Sequence, residues 1–238
     1  MRIVKMPEDV QFINKLFKKY LIDRSGNIID VGACKGAVVD CMLEYINDSE
    51  KIFAFEPNPN TFKYLNNKYK NNKNIILYNL ACSNINEVKD FYLIEDSPGS
   101  CTLDQRWTEI RGEKVSNIVQ VEVVSLDKIL GVDEKIKFIK TDAESYDFLV
   151  LQGAENIIKT HRPVIFFESS GLTSANLHHY RLIDWYTFFK NNNYVLNSPY
   201  EQFGNEKFVL KNLFNYHPAL KDIVAIPAEH QTTVETLL

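Results

Sequence analysis

The chain has 238 residues, of which 45% are hydrophobic and 24% are charged. This length and apolar content predict one α/β domain over residues 1–238 rather than two full domains. The formal net charge of −4 argues against a nucleic-acid partner, because such proteins usually present a basic face. No apolar run approaches the roughly 20 residues needed to span a bilayer. The first residues also show no signal-peptide core, so we expect a cytoplasmic protein without an integral membrane segment.

The first third of the chain alternates between short apolar strands and helices. Apolar residues at helical spacing predict a helix from Asp9 to Tyr20, within an N-terminal helical segment of residues 1–25. Strands and helices are then predicted in alternation at 27–31, 38–46, 51–55, 61–69 and 75–80. Such alternation predicts parallel strands joined by right-handed crossovers.

The middle of the chain has a different composition, which predicts a β-rich insertion over residues 84–125. Residues 90–95 and 119–124 are rich in β-forming residues and are typical of antiparallel strands. The polar loop Ser97-Pro98-Gly99-Ser100 lies between them and contains a hinge-like glycine. We therefore expect the insertion to cover one end of the sheet and this loop to act as a lid.

The last third returns to the strand–helix pattern. Its predicted elements are a strand at 136–140, a helix at 146–159, a strand at 164–167 and final strands at 194–196 and 223–226. Between these lies a helix that contains Trp185, Tyr186, Phe188 and Phe189. Their helical spacing predicts a core face against the sheet rather than a stacking platform for a ligand. Trp107, in the insertion, is the better candidate for an aromatic residue on the substrate side.

The four cysteines, Cys34, Cys41, Cys82 and Cys101, are expected to be free thiols. No pair has CxxC spacing, and no histidines are grouped around them as in a zinc site. A nucleophilic role for Cys82 is an alternative, but no adjacent His–Asp arrangement supports it.

Acidic residues mark most carboxyl ends of the predicted strands, where open α/β sheets bind their ligands. The residues at these ends are Asp30, Glu56, Ala81, Asp142 and Glu168. A sheet with only a structural role needs no such set, so the carboxyl edge is the expected site.

The first strand runs into a turn with two glycines, in the segment IIDVGACKG. Gly32 allows a tight turn, and Gly36 allows the next helix to pack closely. The spacing is not the GxGxxG of dinucleotide-binding enzymes, and Asp30 favours a cofactor with a positive amine over a phosphate. Glu56 ends the second strand, where an acid can accept both ribose hydroxyls of an adenosine-containing ligand. For the turn alone, a plain strand–turn–helix remains the alternative.

The chain resembles the FkbM family of S-adenosylmethionine-dependent methyltransferases. The resemblance extends over residues 27–170 and is carried by the segments IIDVGACKG, FAFEPNP, YNLACSN, VSLD, IKFIKTDAES, VLQGAENII and RPVIFFES. It implies a Rossmann-like class I methyltransferase fold, with a mostly parallel seven-stranded sheet, helices on both faces and a small β insertion. The chain departs from the family pattern DVEGxE, because Ser145 replaces the glycine and Asp147 the second glutamate.

The same resemblance implies which residues bind S-adenosylmethionine. Asp30, Gly32 and Gly36 would shape the pocket for the methionine part, and Glu56 would hold the ribose. Cys82 and Ser83 would lie near the adenine, and Asp142 near the methyl group. Further expected cofactor contacts are Ala33, Pro57 and Asn58.

Methyl transfer to a hydroxyl also needs a group that removes the proton. Asp142, Glu144 and Glu168 are the candidate carboxylates by position, and the ends of neighbouring strands place Asp142 and Glu168 close together. His178 and His179 are further candidates, with exposed polar residues as the alternative for both. The three carboxylates could instead hold a divalent cation through oxygen ligands.

The resemblance favours an O-methyltransferase that acts on a hydroxyl of a sugar in a glycan or glycoconjugate. One alternative is a methyltransferase for a polyketide or another small-molecule hydroxyl. Another is a cofactor-binding module without catalysis, for which the altered segment from Asp142 to Asp147 is the only support. The sequence leaves the acceptor and the oligomeric state open.

Overall fold

A computed structural model describes residues 8–199, 207, 209 and 221–230 of the chain. Its strands are β1 (Asn27–Val31), β2 (Ile52–Phe55), β3 (Ile75–Tyr78), β4 (Ala81–Cys82), β5 (Glu87–Ile94), β6 (Val115–Val124), β7 (Ile136–Thr141), β8 (Val164–Glu168), β9 (Tyr194–Asn197) and β10 (Asp222–Pro227). Its α-helices are α1 (Glu8–Leu16), α2 (Ala37–Met42), α3 (Pro59–Tyr69), α4 (Gln105–Arg111), α5 (Leu126–Leu130), α6 (Asp147–Gln152), α7 (Glu155–His161), α8 (Gly171–Leu177) and α9 (Leu182–Asn191).

Seven strands form one sheet in the order β3-β2-β1-β7-β8-β10-β9. The first five pair in parallel, and β10 is antiparallel to both β8 and β9. The strand order reverses between β1 and β7, which is where open α/β sheets form a crevice. The expected α/β fold, with a mostly parallel seven-stranded sheet, is confirmed.

Helices cover both faces of this sheet because alternate strand residues point in opposite directions. Ile29 and Val31 belong to a buried cluster that also contains residues of α6, α7 and α9. Ile28, which directly precedes Ile29 and points to the other face, belongs to a second cluster with residues of α1, α2 and α3. Trp185 and Phe189 of α9 are 4% and 0% exposed, which confirms the expected core face.

The segment 84–125 carries its own small sheet. β5 and β6 pair antiparallel over eight residues of β5, and β6 also pairs in parallel with β4. Helix α4, which the sequence did not predict, lies between β5 and β6. The loop predicted at 97–100 contains a short 3₁₀ turn at Pro98–Ser100, and the Ser97 and Ser100 hydroxyls lie 2.8 Å apart.

Two expectations about element boundaries are wrong. The third strand ends at Tyr78, so Ala81 belongs to the small sheet rather than to the carboxyl edge of the large one. The helix predicted at 146–159 is two helices, α6 and α7. Gly153 lies between them, and its backbone passes so close to the Ser83 carbonyl that a Cβ atom would clash. Asp127 then accepts from the first free backbone N–H groups of α7, at Asn156 and Ile157.

No helix among the described residues is both long enough and apolar enough to cross a bilayer. The four cysteines are free, as expected.

Candidate functional site

A cavity of about 270 Å³ opens at the carboxyl ends of β1, β2 and β7. It lies at the point where the strand order reverses. The segments after β1 and β2 form one side, and the segment 84–125 contributes Phe91, Pro98, Gly99, Cys101 and Leu103. The predicted residues that line the cavity are Gly32, Ala33, Glu56, Pro57, Cys82, Asp142 and Glu144.

The turn after β1 forms the floor of the cavity. Gly32 has φ +77°, and a Cβ atom there would collide with the backbone carbonyl of Asp142. The glycine is therefore required for the close approach of the loops after β1 and β7, before any ligand is considered. Gly36 lies behind the floor at the start of α2, where its carbonyl accepts from the Tyr69 hydroxyl at 2.8 Å.

Glu56 is a buried carboxylate in the cavity wall, only 4% exposed. Its Oε2 accepts from the Cys34 backbone N–H, and its Oε1 from the Asn58 backbone N–H, both at 2.8 Å. Burial raises the pKa of Glu56 to about 7, and the two backbone hydrogen bonds only partly oppose this rise. Asn58 does not line the cavity; its side chain caps the first turn of α3.

Lys140 is a cavity residue that the sequence reasoning missed. Its Nζ atom donates to the carbonyls of Val31 and Gly32, at 3.2 and 3.0 Å. It also lies 3.2 Å from Oδ1 of Asp30, which is fully buried beneath the cavity. The available signal was a lysine inside the buried strand IKFIKT, since a lysine is rarely buried unless it is paired.

Asp142 and Glu168 follow paired residues of neighbouring strands, since Thr141 pairs with Phe167. Asp142 lines the cavity, and its Oδ2 lies 3.7 Å from the Nζ of Lys140. Glu168 lies outside the lining, and its Oε1 is 3.3 Å from the Nζ of Lys221. Burial and the nearby Asp142 carboxylate raise the pKa of Glu168. The structure thus brings these two acids together, as their strand positions predict.

Glu144 follows β7, lines the cavity and is 8% exposed. Its Oε2 accepts from Trp107 Nε1 at 2.9 Å and from Arg111 Nη1 at 2.8 Å. Burial raises the pKa of Glu144 to about 7, although the Trp107 hydrogen bond and the Arg111 charge act to lower it. Its backbone is left-handed, with φ +47°, and Ser145 follows with φ +83°. Such strain in residues other than glycine is often found at functional sites.

His178 does not line the cavity but packs behind it. Its Nε2 lies 3.0 Å from the Ser145 hydroxyl, and its ring contacts Tyr146 at 4.4 Å between centroids. Burial lowers the pKa of His178 to about 4. The imidazole is therefore neutral at neutral pH and a weak base. His179 is exposed.

The two residues expected near an adenine differ in their placement. Cys82 lines the cavity beside Leu80 and Ala81. Ser83 is 1% exposed and lies outside the lining, where its backbone N–H donates to the Val124 carbonyl. Burial raises the pKa of the Cys82 thiol, so a thiolate there is disfavoured.

The three carboxylates considered as cation ligands do not form such a site. In the described part of the chain, no group of three or more His, Cys, Asp and Glu side chains could hold a metal ion. Glu144 already has Trp107 and Arg111 on one oxygen, and Glu168 has Lys221. The structure therefore does not support the expected option of a divalent cation.

Solved structures of other proteins are similar to this chain. A structure of an FkbM methyltransferase from Methylobacillus flagellatus KT superposes with a TM-score of 0.50 at 14% identity, covering 84% of this chain and 43% of that one. This chain thus spans less than half of that structure. A precorrin-6y C5,15-methyltransferase from Geobacter metallireducens GS-15 gives a TM-score of 0.42 at 12% identity, covering 94% and 89% of the two chains. No curated protein matches the sequence.

The sequence itself supplies the assignment to a family. The family model described as the methyltransferase FkbM domain matches residues 30–196, from the first acid of the cavity floor to strand β9. That range contains the Asp30 turn, Glu56, Lys140, the acids after β7 and the segment 84–125. The chain belongs to the FkbM methyltransferase family.

Proposed function

We propose that this protein is an S-adenosylmethionine-dependent O-methyltransferase that acts on a hydroxyl of a sugar in a glycan or glycoconjugate. Membership of the FkbM family supports methyl transfer. The resemblance of the sequence segments to that family favours a sugar acceptor. The observation that carries the proposal is Glu144, a buried carboxyl at the cavity whose pKa of about 7 suits a proton acceptor at neutral pH.

The residues of the cavity fit the proposed methyl donor. Glu56 is buried in the wall, and a carboxylate there can accept hydrogen bonds from ribose hydroxyls. The exposed part of Asp142 can face a positive amine, and its side chain is 41% exposed. The apolar residues Leu80, Ala81 and Phe91 offer a surface for an aromatic base. When bound, S-adenosylmethionine supplies an activated methyl group on a sulfonium.

The protein must then orient the acceptor hydroxyl and take its proton. Glu144 is better suited to this than the other candidates for three reasons. It lines the cavity, whereas Glu168 and His178 do not. Its pKa of about 7 lies well above that of His178, at about 4. Asp142 lies beside Lys140 and is the residue that we assign to the amine of the methyl donor.

Mass spectrometry can test this function directly. The purified protein would be incubated with S-adenosylmethionine and a panel of glycans, sugar conjugates, small hydroxylated molecules and RNA. We expect a gain of one methyl group on a sugar hydroxyl. Methylation confined to RNA or to nonsugar molecules would refute the acceptor class, and cofactor binding without any transfer would favour a non-catalytic module.

Substitution then tests the proton acceptor. Glu144→Gln keeps the shape of the side chain and removes its charge, so turnover should fall by at least about 100-fold. Donor affinity, measured by calorimetry, should stay within about threefold, because Glu144 is proposed to face the acceptor. Asp142→Asn and Glu168→Gln are the matched variants. If Glu144→Gln keeps near-normal turnover while one of these loses it, the proton acceptor is Asp142 or Glu168.

A further inference from the structure

The segment 84–125 contacts Glu144 at three points. The Thr102 hydroxyl donates to the Glu144 carbonyl at 3.1 Å. Trp107 Nε1 and Arg111 Nη1 both donate to Oε2 of the carboxylate, at 2.9 and 2.8 Å. Backbone and side chain of this residue are thus both held by a part of the chain that lies outside the large sheet.

The two side-chain donors form a single preorganised unit. Trp107 and Arg111 are four residues apart on α4, and residues at this spacing share one side of a helix. The guanidinium lies 5.7 Å from the centre of the Trp107 ring, within the range of a cation–π contact. Arg111 Nε also lies 3.1 Å from Oε1 of Glu113, which restrains the guanidinium from its other side.

Both donors bind the same carboxylate oxygen. The second oxygen, Oε1, is then the one that can take a proton. In the reaction proposed above, the bond between sulfur and methyl breaks, the bond between acceptor oxygen and methyl forms, and the hydroxyl proton passes to Glu144. Donors fixed on Oε2 stabilise the ionised form that must be present before this transfer.

We propose that Trp107 and Arg111 are positioning residues, which hold Glu144 at the cavity and keep its carboxylate ionised, so that the segment 84–125 controls the proton acceptor. The inference rests on the proposed role of Glu144 as that acceptor. It corrects the expectation that Trp107 is a substrate-side aromatic residue, since Trp107 does not line the cavity. It also explains how a glutamate can occupy a strained, left-handed backbone, because the Thr102 contact fixes its carbonyl.

The direction of the pKa shift agrees with this geometry. Burial raises the pKa of Glu144, whereas the Trp107 hydrogen bond and the Arg111 charge lower it. Removal of either donor should therefore raise the pKa of Glu144 above its value of about 7. The carboxylate would then be mostly protonated at neutral pH and could not accept a second proton.

The test measures the titration of Glu144 in the protein without ligands. Carboxyl groups would be labelled with carbon-13, and the Glu144 signal identified by its loss in Glu144→Gln. In Arg111→Met we expect the titration midpoint to rise by about one pH unit, the lower end of the effect of an adjacent opposite charge. Trp107→Phe should raise it by a smaller amount, and Arg111→Lys should keep it close to the wild-type value.

Arg106→Met is the matched control, because Arg106 also lies on α4 but binds Asp104 and the Leu177 carbonyl. Its midpoint should equal that of the wild type. The acid limb of kcat against pH should shift in Arg111→Met as the midpoint does. Unchanged midpoints in both Arg111→Met and Trp107→Phe would overturn the inference, as would an equal shift in Arg106→Met. If midpoints shift but Glu144→Gln retains turnover, the control over Glu144 stands and its proposed role as proton acceptor fails.

Discussion

The buried lysines at the two ends of strand β7 differ in their surroundings. At the amino end, Lys137 donates to Oε2 of Glu50 and to the Tyr45 carbonyl, both at 2.9 Å. This pair is buried away from the cavity. At the carboxyl end, Lys140 lies between Asp30 and Asp142, at 3.2 and 3.7 Å, and forms part of the cavity lining.

The two glutamates at these ends sharpen the contrast. Glu50 and Glu56 are both buried, and each accepts hydrogen bonds from two backbone N–H groups. Burial alone would raise the pKa of Glu50, but hydrogen bonds from Gly26, Lys137 and Asn47 outweigh it and lower the pKa. Burial raises the pKa of Glu56 to about 7, because the backbone hydrogen bonds from Asn58 and Cys34 and the charge of Lys140 oppose the rise only in part. Glu50 thus forms its ion pair with Lys137 inside the protein. Glu56 instead lines the cavity, where a ligand can donate further hydrogen bonds to it.

Substitution of the two lysines should give the largest effect. Lys140→Met and Lys137→Met each leave a buried carboxylate without its lysine, which costs about 3–5 kcal/mol of unfolding free energy. Urea denaturation measures this loss. Only Lys140→Met should also weaken the binding of S-adenosylmethionine, by more than about tenfold, or roughly 1.4 kcal/mol. The reason is that Lys140, unlike Lys137, donates to the Val31 and Gly32 carbonyls at the cavity floor.

Calorimetry on the folded fraction of both variants separates the two roles. Equal donor affinity in Lys137→Met and Lys140→Met would show that Lys140 has only a structural function. The contrast between the two ends of β7 would then concern stability alone.

The sequence predicted the cavity residues at the ends of β1 and β2 better than it predicted the surroundings of Glu144. Gly32 and Glu56 lie at the ends of strands whose apolar runs are short and clear, so their positions follow from the alternation of strands and helices. Glu144 was a candidate by position, but its partners Trp107 and Arg111 lie on a seven-residue helix that no periodic pattern marked. Contacts between side chains 33 and 37 residues apart depend on tertiary packing, which one sequence does not reveal.

Lys140 illustrates a second limit. The sequence shows a lysine within a buried strand, but its partner Asp30 is on a different strand and is recognised only when β1 pairs with β7. The placement of Ser83 also depends on a partner on another strand. Because Ser83 follows Cys82 in the sequence, the sequence predicts both residues at the cavity. The Ser83 backbone N–H instead donates to the Val124 carbonyl of β6, which directs it away from the cavity.

Substitution of Glu56 and Glu50 should give the second largest effect. Glu56→Ala removes the carboxylate proposed to accept hydrogen bonds from the ribose hydroxyls. It should weaken the binding of S-adenosylmethionine by about 2–3 kcal/mol, as loss of a charged hydrogen bond does. This is roughly a 30- to 150-fold loss of affinity in calorimetry. Glu50→Ala, the control, should lower stability and leave affinity unchanged. A loss below about threefold in Glu56→Ala would mean that another residue holds the ribose.

The smallest effect is a pH dependence of donor binding. If the ionised form of Glu56 accepts the hydroxyls, affinity should fall as the pH drops through about 7, by roughly tenfold between pH 8 and 6. Stability without ligand has the opposite slope. A carboxyl whose pKa is raised from 4.5 to about 7 binds its proton more tightly in the folded state. Its contribution to stability is therefore present at low pH and is lost as the pH rises to about 7.

Two variants assign this dependence to one residue. Glu56→Gln cannot ionise, so its donor affinity should be lower and nearly independent of pH. Glu144→Gln should keep the wild-type slope, although the pKa of Glu144 is also about 7 and both residues line the same cavity. If the pH dependence of donor affinity disappears in Glu144→Gln instead, donor binding depends on the ionisation of Glu144. The carboxyl that responds to the donor would then be Glu144 rather than Glu56.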